Sequence, residues 1–171
     1  DLPTLFSRTV NLVGERFGFY ATSIFTIEET GFNATLQAAT GEVGEELRRQ
    51  EFSLSVGSKS AVGEATGSGR AVVINDASQS ATFQYDPILP DTKSEAVIPL
   101  RIGSRVIGAL DLQSAHLNAF SEDEVTVLQT LADQVAIAID NARSYELSIQ
   151  AVKEMREADR LKSQFLANMS H

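Results

Sequence analysis

Few side chains in this sequence can do covalent or metal chemistry. There is no Cys, and the two His residues are His116 and His171. The lack of Cys removes disulfides, thiolate metal sites, cysteine nucleophiles and thioether-attached chromophores together. His116 falls in a linker after the last strand, far in sequence from His171. The acidic runs Glu28-Glu29, Glu45-Glu46 and Glu122-Asp123-Glu124 read as solvated surface. Asp76 closes a middle strand and could accept hydrogen bonds from a ligand, although a carboxylate there more often caps the following turn. Arg160 and Lys162 read as flank positions of a helix rather than anion ligands. Spacing alone places no paired-carboxylate, metal-ligand or Ser/His/Asp constellation on one site.

The elements that must position these residues come from a chain of 171 residues, 43% of them hydrophobic. That is enough for a core and argues against disorder. With 14 Lys+Arg against 23 Asp+Glu, the net charge is −9, which disfavours nonspecific contact with nucleic acid or an anionic membrane. No apolar run approaches the roughly 18 residues of a membrane span, and no signal peptide opens the sequence. A cytoplasmic location is expected.

The longest element is at the end. Ser121 followed by Glu124 is a helix-start signature, and no Pro or Gly follows through His171. Such a helix is roughly 75 Å long, too long for one small domain, so its second half should project. Leu128, Leu131, Val135, Ala138, Ala142, Tyr145, Ile149 and Val152 step by threes and fours as a coiled-coil seam. Continuing the step meets Arg156 and Asp159, while Ala158, Leu161 and Phe165 start a second seam out of phase. A phase break is expected near Met155 to Asp159.

Upstream, Phe6, Val10, Val13 and Phe17 mark a helix ending at Gly18. Ala21–Glu28 and Ala34–Thr40 read as a hairpin around Gly31. Gly41–Gln50, with Val43 and Leu47 four apart, reads as a short helix, Phe52–Val56 as a short strand and Ala61–Gly67 as a second short helix. Ala71–Ile74 reads as a buried strand, followed by a loop over Ala77–Asp91. Glu95–Ile102 and Arg105–Leu112 form a hairpin at Gly103-Ser104. The order gives an α+β fold: an antiparallel sheet with the N- and C-terminal helices on one face and the short helices and loop on the other.

The blocks Ser58–Asp76, Ser94–Leu100, Val106–Ser114, Phe120–Glu124 and Leu131–Ile139 resemble the GAF sensory-domain family, in family order. The resemblance implies a ligand pocket on the sheet face away from the terminal helices. By position its walls would be Phe25, Val73, Asn75, Asp76, Phe83, Tyr85, Ile88, Leu89, Ala96 and Ile98; the plainer reading is that they fill a core. The cofactor is unknown. Covalent bilin is excluded by the absence of Cys, and haem is disfavoured because His116 lies outside the expected pocket. Asn118-Ala119-Phe120-Ser121-Glu122-Asp123-Glu124 only partly matches the family's cyclic-nucleotide motif. The cysteine chemistry of GAF-like methionine sulfoxide reductases has no residue to use.

Leu161-Lys162-Ser163-Gln164-Phe165-Leu166-Ala167-Asn168-Met169-Ser170-His171 resembles the phosphoacceptor box of sensor histidine kinases, with His171 as phosphoacceptor. The family's following Glu-Arg-Thr-Pro and its ATP-binding domain are not in this sequence, so the chain should not phosphorylate itself and His171 is inactive here. The resemblance implies a sensory domain over 1–142 and a signalling helix over 143–171. It further implies a homodimer through the terminal helices, a possible small-molecule ligand and a downstream response regulator reached through the parent kinase. The alternative is a ligand-free dimerisation and spacer module.

Overall fold

The computed structural model describes residues 1–170, apart from the side chain of Val43. The chain begins with helix α1 (Leu2–Phe17). The Asp1 carboxylate accepts from the Thr4 N–H at 2.8 Å, and Gly18 closes the helix at φ 69°. That left-handed conformation is one glycine adopts without steric cost. Strands β1 (Ala21–Ile27) and β2 (Asn33–Ala39) follow, then α2 (Gly41–Arg49), β3 (Ser53–Ser55), α3 (Ala61–Ser68) and β4 (Val72–Ile74). A loop then leads to β5 (Ser94–Ile102), β6 (Arg105–Ser114) and α4 (Glu122–Met169).

The six strands form one sheet in the order β3-β2-β1-β6-β5-β4, antiparallel at every pair. Both edge strands are three residues long, which leaves little unpaired backbone for a foreign strand. The expected buried strand at Ala71–Ile74 is in fact the short edge strand β4, and Val73 on it is 38% exposed. A short apolar run alone does not tell an edge from a centre. The adjacent strand β5 is buried along Ser94–Leu100, as a strand covered on both faces must be.

One cover is α1 and α4. Phe6, Val10 and Val13 of α1 and Leu128, Ala132, Ala136 and Ile139 of α4 pack on Ile24, Ala96, Ile98, Leu110 and Leu112. The other is α3, whose Ala61, Val62 and Ala65 pack on Phe25, Leu36, Val97 and Ala109, with Leu47 of α2 at the margin.

The β5–β6 register decides which side chains reach which cover. At the Gly103-Ser104 turn, Ile102 pairs with Arg105 and Arg101 with Val106, but Leu100 pairs with Gly108. Ile107 is therefore an extra residue, a bulge that shifts the pairing by one. Gly108 lies beside it, and a Cβ there would sit 2.1 Å from the Phe25 carbonyl oxygen of β1. Only glycine permits that approach.

Helix α4 starts at the Ser121 cap, whose hydroxyl accepts from the Glu124 N–H at 3.2 Å. It runs unbroken for 48 residues, and from Ser144 onward it is exposed. The helix continues through Met155–Asp159, where the phase break is expected. His171, the expected phosphoacceptor, lies outside the described residues.

Candidate functional site

On the α3 side of the sheet lies a cavity of about 230 Å³. Sheet residues Ser23, Phe25 and Leu36 form its back, and Leu47, Phe52 and Leu54 one side. The start of α3 supplies Ser60, Ala61 and Val62; the loop before β5 supplies Thr82, Gln84, Tyr85, Asp86, Pro87 and Leu89. Phe25 and Phe52 meet edge-on, ring centres 6.3 Å apart, a favoured aromatic geometry.

The polar end of the cavity is made by Glu95 of β5 and Asp111 and Gln113 of β6. Glu95 pairs with Gln113 and Val97 with Asp111, so all three polar side chains share one face. Glu95 is 6% and Asp111 8% exposed. The Gln113 side-chain amide donates to Glu95 Oε2 at 3.1 Å and to Asp111 Oδ2 at 3.2 Å, and its oxygen accepts from the Thr92 hydroxyl at 2.6 Å. Both amide hydrogens are then used, and Asp111 Oδ1 is buried with no partner.

Burial holds the Glu95 carboxyl well above its ordinary range, reinforced by the Asp111 charge and their mutual hydrogen bond and opposed by Gln113. Burial also raises Asp111, against the hydrogen bonds from Glu95 and Gln113. Two buried carboxyls this close favour sharing a proton over carrying two charges. A costly pair of this kind, set at a cavity wall, marks the cavity as the candidate functional site.

The family model described as GAF domain matches residues 1–140. The chain belongs to the GAF domain family. A hybrid signal transduction histidine kinase G from Dictyostelium discoideum is 31% identical over 110 residues, which is 58% of this chain and 3% of that protein. The chain thus spans a small fraction of the length of the curated relatives it matches. The solved GAF domain of an Acinetobacter phosphoenolpyruvate-protein phosphotransferase is 25% identical, with a TM-score of 0.72 over 84% of this chain and 85% of that one. A free methionine-R-sulfoxide reductase from Neisseria meningitidis, solved with its substrate, has the same fold at 22% identity, with a TM-score of 0.70 over 85% of this chain and 81% of that one.

Within this GAF domain, Phe25, Tyr85 and Leu89 line the cavity. Ala96 and Ile98 do not: both are fully buried on the opposite face, against α1 and α4. Val73 pairs with Ala96 and shares that face at the sheet edge. These three expected wall residues are corrected by one position along the strand, since neighbours in a strand point to opposite faces. Asn75 uses its carbonyl to accept from the Asn118 N–H at 2.9 Å, and Phe83 packs on the α3-side core beside the cavity. Ile88 is 41% exposed on the loop and does not line the cavity. Asp76 accepts from the Ser78 N–H at 3.0 Å and its hydroxyl at 2.7 Å, capping the single turn Ala77–Gln79. His116 is exposed in the β6–α4 linker.

The paired carboxylates were missed because the bulge hides them. Extending the hairpin from its turn without a bulge sets Asp111 opposite Ala96, on the terminal-helix face. The one-residue slip at Ile107 moves it to the face of Glu95. The readable signal was the rarity of acids inside strands as apolar as Ser94–Leu100 and Ile107–Leu112.

Proposed function

We propose that this chain is the signal-sensing and dimerising input domain of a sensor histidine kinase, acting through α4 on His171. A small molecule in the cavity biases the sheet, the sheet moves the terminal helices, and α4 carries the change toward the phosphoacceptor. The observation that carries this reading is that β5 separates the two sites. Glu95 faces the cavity, whereas the next residue, Ala96, faces the core shared with α4.

Further support comes from the hydrogen bonds that tie α4 to β5. The Gln129 amide donates to the Pro99 carbonyl at 3.0 Å and to Asp133 at 2.9 Å, and Arg101 holds Asp133 through two bonds of 3.1 and 3.2 Å. Beyond Arg143, exposed Tyr145, Ile149, Val152, Leu161 and Phe165 are suited to pair with a second copy as a coiled coil. The likeness to a hybrid histidine kinase and the phosphoacceptor-like run before His171 supply the kinase context, and a response regulator would receive the phosphoryl group. No helix among the described residues is long and apolar enough to cross a membrane, in keeping with a cytoplasmic input. The solved reductase relative acts on a small free molecule, which fits a binding role for this fold; without a Cys, this chain is read as a binder.

The spacer alternative calls for a filled core, and a cavity of about 230 Å³ with a polar end favours the sensory reading. The test joins this chain in frame to a histidine kinase catalytic core. One seam is then restored across the break by Arg156→Leu with Asp159→Leu, and signal-dependent autophosphorylation is measured. Loss of regulation supports the relay, and unchanged regulation counts against it.

A further inference from the structure

We infer that the cavity recognises a small organic ammonium ion, with Asp111 and Glu95 accepting from the ammonium group and Phe25, Phe52 and Tyr85 enclosing its apolar body. The inference rests on reading the cavity as a ligand site, and it names the chemical class of the ligand.

Charge is the first argument. Among the described residues, the cavity is lined by three carboxylates, Asp86, Glu95 and Asp111, and by no Lys, Arg or His. Buried carboxylates are normally paired with cations, yet Glu95 and Asp111 have only each other and the neutral amide of Gln113 beside them. Asp86 is half-exposed and spends its Oδ1 on the Ile88 N–H at 3.0 Å, so the buried acceptor left without a partner on the cavity wall is Asp111 Oδ1. An ammonium group would satisfy that oxygen and supply the missing counterion with one donor set.

The remaining walls argue for an organic cation over a metal ion. The Glu95–Asp111 pair is met by the nitrogen of the Gln113 amide rather than by a third oxygen ligand, too few oxygens for a hard divalent ion, and no cluster of three or more metal-ligating side chains occurs among the described residues. Aromatic faces attract ammonium groups, and two of the three rings here already pack edge-on. At the α3 N-terminus the Gly63 N–H is taken by the Ser60 hydroxyl at 2.9 Å. Size sets the upper bound: about 230 Å³ is below the roughly 300 Å³ at which ordinary small-molecule sites begin.

The test is a matched trio of similar shape and different charge: benzylammonium chloride, benzyl alcohol and sodium benzoate, with calcium chloride as a fourth probe. Each is titrated into the whole chain at pH 7.5 by calorimetry and by amide NMR. Benzylammonium is expected to bind at least tenfold more tightly than benzyl alcohol, to move the Ser23, Phe25 and Gln113 amides, and to compete with no saturable benzoate site. Asp111→Asn and Glu95→Gln should each weaken it tenfold or more, in protein whose spectrum remains dispersed; should either variant unfold, the trio on the parent chain still decides. Benzyl alcohol or benzoate binding at the same residues within threefold of benzylammonium would overturn the ammonium inference and leave the cavity reading standing. So would saturable calcium binding there without benzylammonium binding. If none of the four moves a cavity residue, both readings fall.

Discussion

Asp111 Oδ1 is the least satisfied acceptor on the cavity wall, and the pair it belongs to should register in the stability of the whole domain. Both carboxyls are raised by burial, so the native state holds protons that the unfolded state has released above about pH 4. The native state then binds more protons than the unfolded one, and stability falls as pH rises from about 4 through the raised value. Each tenfold increase in proton affinity costs ~1.4 kcal/mol at neutral pH. Glu95→Gln removes that cost, so its urea midpoint should exceed the parent's at pH 8, with the advantage gone by about pH 4. A midpoint difference that is the same at both pH values would show that the pair carries no strain. The sequence showed these acids but not their meeting, because a bulge at Ile107 is invisible to alternation. Ala96 and Ile98 were assigned to the wrong face for the related reason that β5 is apolar on both sides.

At the scale of elements, the terminal helices owe their place mainly to apolar burial. Leu128 is fully buried between α4 and the sheet, so Leu128→Ala should destabilise by about 2–5 kcal/mol, read as a lower urea midpoint. The ties at the β5 end are weaker. Arg101 and Asp133 side chains are 34% and 41% exposed, and such pairs contribute about 0–1 kcal/mol. Asp133→Ala should therefore cost little stability. If the relay runs through this contact, the same variant should uncouple ligand binding from autophosphorylation in the kinase fusion, and an unaltered response would remove these bonds from the relay. Helix boundaries were legible where caps are local: Ser121 acts through its hydroxyl and Gly18 through its own backbone, whereas α3 runs past Gly67 and is closed by Gly69. The hairpin turn at Gly103-Ser104 was legible for the same reason. The edge position of β4 was not, since it depends on no further strand pairing with β4 on the side away from β5.

For the whole molecule, the exposed half of α4 sets the expected assembly. Ile149 and Val152 are about half-exposed and Phe165 62% exposed in the single chain, a stripe that a second copy would cover. Light scattering on the intact chain should give a dimer, and Ile149→Glu with Phe165→Glu should give a folded monomer. A parent chain that stays monomeric would remove the coiled coil from the proposed relay. The unbroken course of α4 has a mechanical consequence as well. About 26 residues, Ser144 to Met169, extend past the packed portion, an arm of about 40 Å at ~1.5 Å per residue. A tilt of about 5° at its base would sweep the far end by about 3.5 Å over that length. Leverage of this kind turns a displacement no larger than a side-chain adjustment near β5 into one comparable to the spacing between neighbouring residues at the tip. The absence of Gly and Pro along the arm keeps the motion from being lost to bending on the way.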